Sequence, residues 1–281
     1  MRELLSKIAL DAKIQLRSAQ QIRGGDINTT YLLKTDSEKF VVKINHKHRF
    51  PEMLKREAKG LERLRETQTF FIPEVFKIGE YNQFQYLILD YINSHQPQSS
   101  DFSRFGEQLA QLHQHTETSF GLVEDNYIGK LKQGNTTETS AVDFLINQRL
   151  LPQLKLALQN KYDLKQVETF LKQVEQLIPD QKSSLTHGDL WTGNYLYSKD
   201  KDFCLIDPAV AYSLKNFDIA MMKLFGGFSA EAFERYYAIH PKAEKEQNHL
   251  DIYQLYYLLV HLNCFGQSYF SRCQNIISKY T

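Results

Sequence analysis

The chain has 281 residues, with 34 lysines and arginines against 33 aspartates and glutamates, which gives a formal net charge of +1. This near balance argues against binding to nucleic acid or to a membrane surface, because both need a basic excess. Apolar residues make up 42% and charged residues 24% of the chain, as in folded globular proteins. No apolar run is long enough to span a bilayer. The charge balance and the lack of such a run together lead us to expect neither a nucleic-acid nor a membrane partner.

The cysteines indicate a reducing compartment. Cys204, Cys264 and Cys273 are an odd number and have no spacing typical of a zinc site or a disulfide framework. The N-terminal residues carry charges and lack the apolar core of a signal peptide. We therefore expect a cytoplasmic protein, and the length allows one large domain or two lobes.

The first part of the chain is rich in strand patterns. A short helix is predicted over 3–13, and a second helix over 51–66. β-branched and aromatic residues predict strands over 30–33, 40–44, 73–79 and 85–92. Gly24 and Gly25 stand between strand-like flanks and predict a turn between antiparallel strands.

One carboxylate of the second predicted helix faces inward. Leu54, Leu61 and Leu64 mark the apolar stripe of this helix. Glu57 lies three residues after Leu54 and four before Leu61, so it belongs to the same stripe. A buried carboxylate needs a cation or a hydrogen-bond donor. Lys43, fourteen residues earlier on a strand, is the candidate, although a lysine on a strand is by itself more often a solvated edge residue.

The second part of the chain is mostly helical. Apolar spacing predicts helices around Phe105–His113 and over 142–158, 164–177 and 250–262. One interruption, residues 184–207, contains a polar loop and strand patterns at 195–197 and 203–206. These elements predict an α+β protein with a small antiparallel β lobe over 1–92, ending in a hinge, and a larger, mainly helical lobe over 93–281.

The interruption carries the residues most suited to chemistry. Asp189 is followed by Asn194 five residues later and by Asp207 thirteen residues after that. This order resembles the catalytic loop and the metal-binding aspartate of the protein-kinase superfamily. Phosphoryl transfer needs a carboxylate that accepts the proton of the attacking hydroxyl, and it needs hard oxygen ligands for Mg²⁺. Asp189 fits the first need, whereas Asn194 and Asp207 fit the second. The alternative is a polar loop whose acidic residues are solvated.

Two weaker signals concern nucleotide binding. The turn at Gly24 and Gly25 could approach phosphate oxygens closely, or it could be an ordinary hairpin turn. A hinge after the last strand would offer backbone N–H and C=O groups to an adenine, but a plain strand end has the same composition. That run consists of Leu89, Asp90, Tyr91 and Ile92.

Three further features favour structural interpretations. His187 is expected to hold the backbone of the loop, and Asp218 is expected to cap a helix or to brace the loop. The aromatic residues between Tyr253 and Phe270 have mostly helical spacing, which predicts core packing.

Several strings together resemble the fructosamine (ketosamine) kinase family over nearly the whole chain. They are HGDLWTGN (187–194), IDPA (206–209), DIAM (218–221), LFGGF (224–228), GGDIN (24–28) and RLLPQL (149–154). Choline kinases and aminoglycoside phosphotransferases share the aspartate-to-asparagine spacing but lack the tryptophan and the LFGGF block. The resemblance implies a bilobal protein-kinase-like fold. It also implies phosphorylation, dependent on ATP and Mg²⁺, of a sugar hydroxyl at position 3 of fructosamine- or ribulosamine-type ketosamines, in the repair of glycation.

The resemblance also implies roles for single residues. Asp189 would be the base, Lys43 would hold the phosphates and Glu57 would orient Lys43. Asn194 and Asp207 would bind Mg²⁺, residues 90–92 would line the adenine site, and Trp191 could pack against the sugar or its amine. The ketosamine could be a small molecule or protein-bound, and the oligomeric state stays open. The alternatives are another small-molecule kinase, acting on an aminoglycoside or an amino alcohol, and a nucleotide-binding pseudokinase scaffold.

Overall fold

The computed structural model describes residues 1–22, 27–241 and 249–281, so Gly24 and Gly25 lie outside the described residues. The described chain forms two compact units. The first unit contains residues 1–96 and 196–207, and the second contains 97–195 and 208–281. The division into functional lobes at residues 92 and 93 stays a prediction. Among the described residues, no helix combines the length and the apolar character that a bilayer crossing requires.

The first unit is built on a five-stranded antiparallel sheet with the strand order β1-β2-β3-β5-β4. The strands are β1 (Ser18–Ile22), β2 (Thr29–Lys34), β3 (Lys39–His46), β4 (Val75–Tyr81) and β5 (Phe84–Asp90). Helix α1 (Arg2–Asp11) precedes the sheet, and helix α2 (Met53–Glu66) connects β3 to β4. The strand and helix patterns of the sequence are thus present, with ends shifted by at most two residues.

Alternation along β3 separates a core face from a polar face. Phe40, Val42 and Ile44 pack into the same core as Ile8 of α1. Lys43 lies between them in sequence, so its side chain leaves the opposite face of the sheet. Its register partners are Thr30 on β2 and Leu87 on β5. β3 therefore has the sheet on both sides, and Lys43 is not on an edge strand.

A hairpin from later in the chain completes the first unit. It consists of β9 (Tyr195–Ser198) and β10 (Asp202–Leu205). Phe71, after α2, donates its N–H to the Phe203 carbonyl at 3.2 Å and accepts from the Leu205 N–H at 3.1 Å. These backbone bonds tie the segment that ends in Asp207 to the first unit.

The second unit packs around one apolar helix. The helices are α3 (Asp101–Leu112), α4 (Ala141–Asp143), α5 (Leu151–Gln159), α6 (Val167–Leu177), α7 (Asn216–Phe225), α8 (Ala230–Ile239), α9 (Leu250–Phe265) and α10 (Phe270–Lys279). Leu255, Leu258 and Leu262 of α9 are each at most 1% exposed, and neighbouring tyrosines of the same helix are buried as well. A helix that is apolar on all sides forms the centre of a core.

Two short antiparallel pairs lie beside these helices. They are β6 (Asn126–Ile128) with β7 (Leu131–Gln133), and β8 (Ser184–Thr186) with β11 (Ala211–Ser213). These four strands are not among the elements that the sequence patterns predict. Strands of three residues are too short for alternation to be recognised in the sequence.

The helix predicted over 142–158 is divided. Residues 144–150 form a π-helical segment between α4 and α5. Pro152 lies in the first turn of α5 and has no N–H to donate to the Gln148 carbonyl four residues earlier. That carbonyl instead accepts a hydrogen bond from the Arg149 guanidinium at 3.0 Å. The proline thus explains both the break in the pattern and one partner of Arg149.

Gly106 allows α3 and α8 to approach closely, and this contact can be tested. A Cβ at residue 106 would lie 2.0 Å from the Ala232 carbonyl oxygen, which belongs to the backbone and cannot rotate away. Alanine favours a helix by about 1 kcal/mol over glycine, but overpacking costs roughly 1–3 kcal/mol. We expect Gly106→Ala to lower the midpoint of thermal unfolding, measured by circular dichroism. Arg104→Ala, at an exposed position of α3, is the control, and an unchanged midpoint in Gly106→Ala would contradict the close packing.

Candidate active site

The first unit contains a buried pair of opposite charges. The Lys43 Nζ lies 2.6 Å from the Glu57 Oε1, and the two side chains are only 8% and 11% exposed. The charge of a buried lysine needs such a partner, and the helix stripe directs Glu57 toward the sheet. The contact that the sequence predicts is present, whereas the roles of both residues in catalysis stay predictions.

Asp207 shares the same lysine. Its carboxylate forms an ion pair with the Lys43 Nζ, so the ammonium group is held by two acids. The Asp207 side chain is 36% exposed. Its backbone has a φ of 55°, in the left-handed region that favours glycine. The first unit therefore brings together three of the predicted site residues.

The predicted adenine run spans the last two residues of β5 and the two residues after it. Leu89 is buried inside the strand. The Asp90 N–H donates to the Glu74 carbonyl at 3.2 Å, and the Tyr91 N–H donates to the Lys39 carbonyl at 3.3 Å. The Ile92 N–H donates to no backbone carbonyl in the part of the chain that the structure describes. Ile92 is thus the residue of this run whose amide is not already used by the fold.

The second unit holds the loop that starts after β8. Within it, the Asn194 amide Nδ2 donates to the Asp189 carboxylate at 3.0 Å and to the Asp189 carbonyl at 2.8 Å. The side chain of the predicted base is therefore held by a residue five positions later. The Asn194 Oδ1 makes no hydrogen bond to the residues that the structure describes.

A fully buried carboxylate braces this loop. Asp218 accepts the backbone N–H groups of His187 and Gly188, each at 2.8 Å. It lies 3.2 Å from the His113 Nε2, which must donate because a carboxylate only accepts. The His187 Nδ1 in turn accepts the Asp189 N–H at 3.3 Å. These contacts agree with the structural interpretations of His187 and Asp218.

The surroundings of Asp189 raise its pKa. Burial is the main cause, because it disfavours the charged form, and the nearby charge of Asp218 adds to it. The hydrogen bond from Asn194 acts in the opposite direction, and the pKa is raised to about 7. The carboxyl group is thus placed where it can exchange a proton near neutral pH.

Three further residues support the loop, and the sequence pattern does not show their contacts. Gly188 has a φ of 82°, and a Cβ there would lie 2.2 Å from the Ala209 carbonyl oxygen. The Tyr257 hydroxyl donates to the Gly188 carbonyl at 3.0 Å. Tyr257 belongs to the aromatic cluster that helical spacing assigns to the core, and spacing alone does not show where a buried hydroxyl points. His113 was likewise assigned only to an amphipathic helix.

The HGDLWTGN and LFGGF strings lie against each other. Trp191 is 37% exposed, and its ring covers Gly193, where a Cβ would lie 2.4 Å from ring carbons. Gly227 has a φ of 87°, and a Cβ there would lie 2.6 Å from the Thr192 side chain. The Tyr195 hydroxyl donates to the Gly227 carbonyl at 3.1 Å. Gly227 is thus needed for the close approach of the two strings, and Gly193 is needed for the position of the Trp191 ring.

The predicted metal ligands fit Mg²⁺ chemically. Within the described residues, no cluster of three or more His, Cys, Asp or Glu side chains could hold a metal ion alone. Mg²⁺ binds through one or two protein oxygens together with substrate phosphates and water. The Asn194 Oδ1, which has no protein partner among the described residues, and the Asp207 carboxylate are oxygens of this kind.

The sheet with its lysine–glutamate pair and the Asp–Asn loop define the class of protein-kinase-like phosphotransferases. The aminoglycoside phosphotransferase APH(4)-Ia shares this fold, with a TM-score of 0.66 over 99% of this chain and 98% of that one, at 15% identity. The chain belongs to the fructosamine kinase family, because the family model for "Fructosamine kinase" matches residues 2–281.

Individual relatives agree with this family. A "Probable ketoamine kinase" of Enterococcus faecium is 34% identical over 286 residues, which cover 100% of this chain and 99% of that protein. The crystal structure of "Putative fructosamine-3-kinase" from Haemophilus somnus 129PT is 27% identical, with a TM-score of 0.90 over 99% of this chain and 96% of that one. The family and the bilobal kinase-like fold that the sequence strings imply are thereby confirmed.

The brace at Asp218 can be tested by removing its charge. In Asp218→Asn, one of the three donors would face an NH₂ group in the core. We expect the free energy of unfolding in urea to fall by about 2–3 kcal/mol. The control is Asp36→Asn, which weakens the exposed pair with Arg17 and should cost at most about 1 kcal/mol. Equal losses in the two variants would contradict the brace.

Proposed function

We propose that the chain is an ATP-dependent ketosamine kinase that phosphorylates a sugar hydroxyl of its acceptor. The observation that carries this proposal is the loop in which Asn194 holds the carboxylate of Asp189, in a chain that belongs to the fructosamine kinase family. Fixing a carboxylate is what a kinase base requires, because phosphoryl transfer depends mainly on positioning and electrostatics.

In this proposal the first unit binds the nucleotide. Lys43 holds the phosphates of ATP, and Glu57 fixes its rotamer through the 2.6 Å contact. Leu89, Asp90, Tyr91 and Ile92 line the adenine, with the Ile92 N–H as the donor that the fold leaves available. Gly24 and Gly25 are assigned to the phosphates by the family resemblance alone.

The second unit supplies the base. The acceptor hydroxyl oxygen attacks the γ-phosphorus of ATP and forms a new P–O bond, while the bond to the bridging oxygen of ADP breaks. The proton of the hydroxyl passes to a carboxylate oxygen of Asp189. Asn194 and Asp207 would hold Mg²⁺, which neutralises charge on the phosphates when bound.

The alternatives are less well supported. The assignment as an aminoglycoside kinase is supported only by a similar fold at 15% identity, whereas the family model for fructosamine kinases matches residues 2–281. A pseudokinase would lack part of the machinery, yet Lys43, Glu57, Asp189, Asn194 and Asp207 are all present. A cytoplasmic location stays a prediction that rests on the cysteine content.

The base assignment predicts a large loss of turnover in Asp189→Asn. The carboxylate that accepts the proton disappears, whereas the size of the side chain is kept. We expect phosphate transfer to a fructosamine or a ribulosamine to fall by about 10²–10⁴-fold, measured as ADP release. Asp200→Asn, in the exposed turn between β9 and β10, is the control. If wild-type protein transfers no phosphate to any ketosamine of a panel with different sugar lengths, the proposed function is wrong.

The position of Trp191 beside the base predicts a role in acceptor binding. We expect Trp191→Ala to raise the KM for the ketosamine by about 2- to 10-fold through loss of ring contact. The KM for ATP should not change, and Trp191→Phe should restore part of the acceptor affinity. An equal rise of both KM values would count against contact with the acceptor.

A further inference from the structure

A set of buried polar side chains in the second unit has no place in the proposed function. Its members are each at most 7% exposed and lie around the β6–β7 hairpin, on the π-helical segment and on α9. They are Asn126, Gln133, Asn135, Arg149 and Tyr256, which we call the amide network. Arg149 begins the RLLPQL string, one of the strings that resemble the family, and the resemblance implies no role for it.

The amide network binds the backbone of residues 209 and 210. The Gln133 Nε2 donates to the Ala209 carbonyl at 3.1 Å, and the Asn126 Nδ2 donates to the Val210 carbonyl at 2.8 Å. On its other side, the Ala209 N–H donates to the His187 carbonyl at 2.9 Å. This short segment is thus fixed by side chains before β11 begins.

Each amide of the network has a defined orientation. The Tyr256 hydroxyl donates to the Gln133 Oε1 at 2.5 Å, so the NH₂ group of Gln133 points toward Ala209. The Asn126 Oδ1 accepts from Gln133 at 2.8 Å and from Asn135 at 3.1 Å, which directs its NH₂ group toward Val210.

Arg149 closes the network at its far end. Its guanidinium donates to the Asn135 Oδ1 at 2.9 Å and to the Gly134 carbonyl at 2.6 Å. It also lies over the ring of Phe144, 4.4 Å from the centroid. Burial lowers the pKa of this arginine, because the core disfavours its charge. The bond to the Asn135 Oδ1 fixes which end of that amide faces Asn126.

The segment held in this way follows Asp207 directly. Asp207 has a φ of 55°, and a non-glycine residue keeps this conformation only where its surroundings fix it. We propose that Asn126 and Gln133 are positioning residues, which hold residues 209–210 and so orient the Asp207 carboxylate. This inference rests on the proposed function, because that function assigns Asp207 to Mg²⁺. Residues outside the ligand shell commonly change metal affinity by about 10–100-fold.

The test measures ADP binding by calorimetry with and without Mg²⁺, on the full chain. The quantity compared is the ratio of the two dissociation constants, which reports the metal ligands and not the nucleotide site as a whole. Gln133→Leu removes both donors of the amide, and its control is Gln153→Leu, a buried glutamine of α5 that contacts Asn263. We expect Gln133→Leu to reduce the Mg²⁺-dependent gain in affinity about tenfold and to leave metal-free ADP binding within twofold of wild type.

A milder pair of variants keeps the test valid if Gln133→Leu does not fold. Tyr256→Phe removes only the hydroxyl that orients Gln133, and Tyr253→Phe is the control, since both rings pack on Phe217. We expect a reduction of a few fold in the Mg²⁺-dependent gain for Tyr256→Phe alone.

The outcomes separate the two proposals. A full Mg²⁺-dependent gain in Gln133→Leu and Tyr256→Phe, or equal losses in their controls, would overturn the positioning role while the kinase assignment stands. Wild-type protein that binds ADP without any effect of Mg²⁺ would instead overturn the assignment of Asp207, and the inference with it.

Discussion

The hydrogen bonds of the buried Asp218 carboxylate are the constraint on which the loop of the second unit depends. The carboxylate lies in the core with two backbone N–H groups and one histidine N–H as donors. An uncompensated charge there would cost several kcal/mol, so the loop cannot withdraw its two N–H groups without leaving this buried carboxylate short of donors. The loop is consequently held at His187 and Gly188, directly before Asp189. Asn194 then needs to fix only a side chain, because the backbone that carries it is already in place.

The charged group in the first unit is not balanced. Lys43 carries one positive charge, and Glu57 and Asp207 carry two negative charges, so the buried group has an excess of acid. The excess falls on Asp207, which is the more exposed of the two acids. In the proposed function, a triphosphate would offer further negative charge to the lysine, and Mg²⁺ would offer positive charge to Asp207. Glu57, at 11% exposure, then remains as the fixed partner of Lys43. Glu57 is the more buried of the two acids, which fits a permanent contact with Lys43. Asp207 is the more exposed, which fits a contact with Lys43 that ligands can replace.

Most of the sheet, the lysine–glutamate contact and the loop could be predicted from the sequence, and the reasons can be identified. The inward position of Glu57 follows from helical spacing, and a buried acid must find a cation, so the contact could be predicted without coordinates. The division of the helix at 144–150 does not show in the apolar spacing, which continues through it; the signal in the sequence is Pro152, which has no N–H to donate to the Gln148 carbonyl. The hydroxyls of Tyr256 and Tyr257 were missed for another reason. Spacing shows that a ring is buried, but the direction of its O–H depends on which loop crosses the helix in space.

The two segments that flank the chemistry are held by different kinds of group. A charge braces the backbone before Asp189, whereas neutral amides of Asn126 and Gln133 hold the backbone after Asp207. There is a physical reason why uncharged amides and not charged side chains hold this backbone. An acid cannot donate to the carbonyls of Ala209 and Val210, and a cation there would add a field that, under the proposed function, alters how Asp207 binds Mg²⁺. An amide donates to a carbonyl without adding net charge, provided that something else fixes which of its ends points inward. Tyr256 does this for Gln133, and Arg149, acting through Asn135, does it for Asn126, so the single cation of the network is kept at its far end.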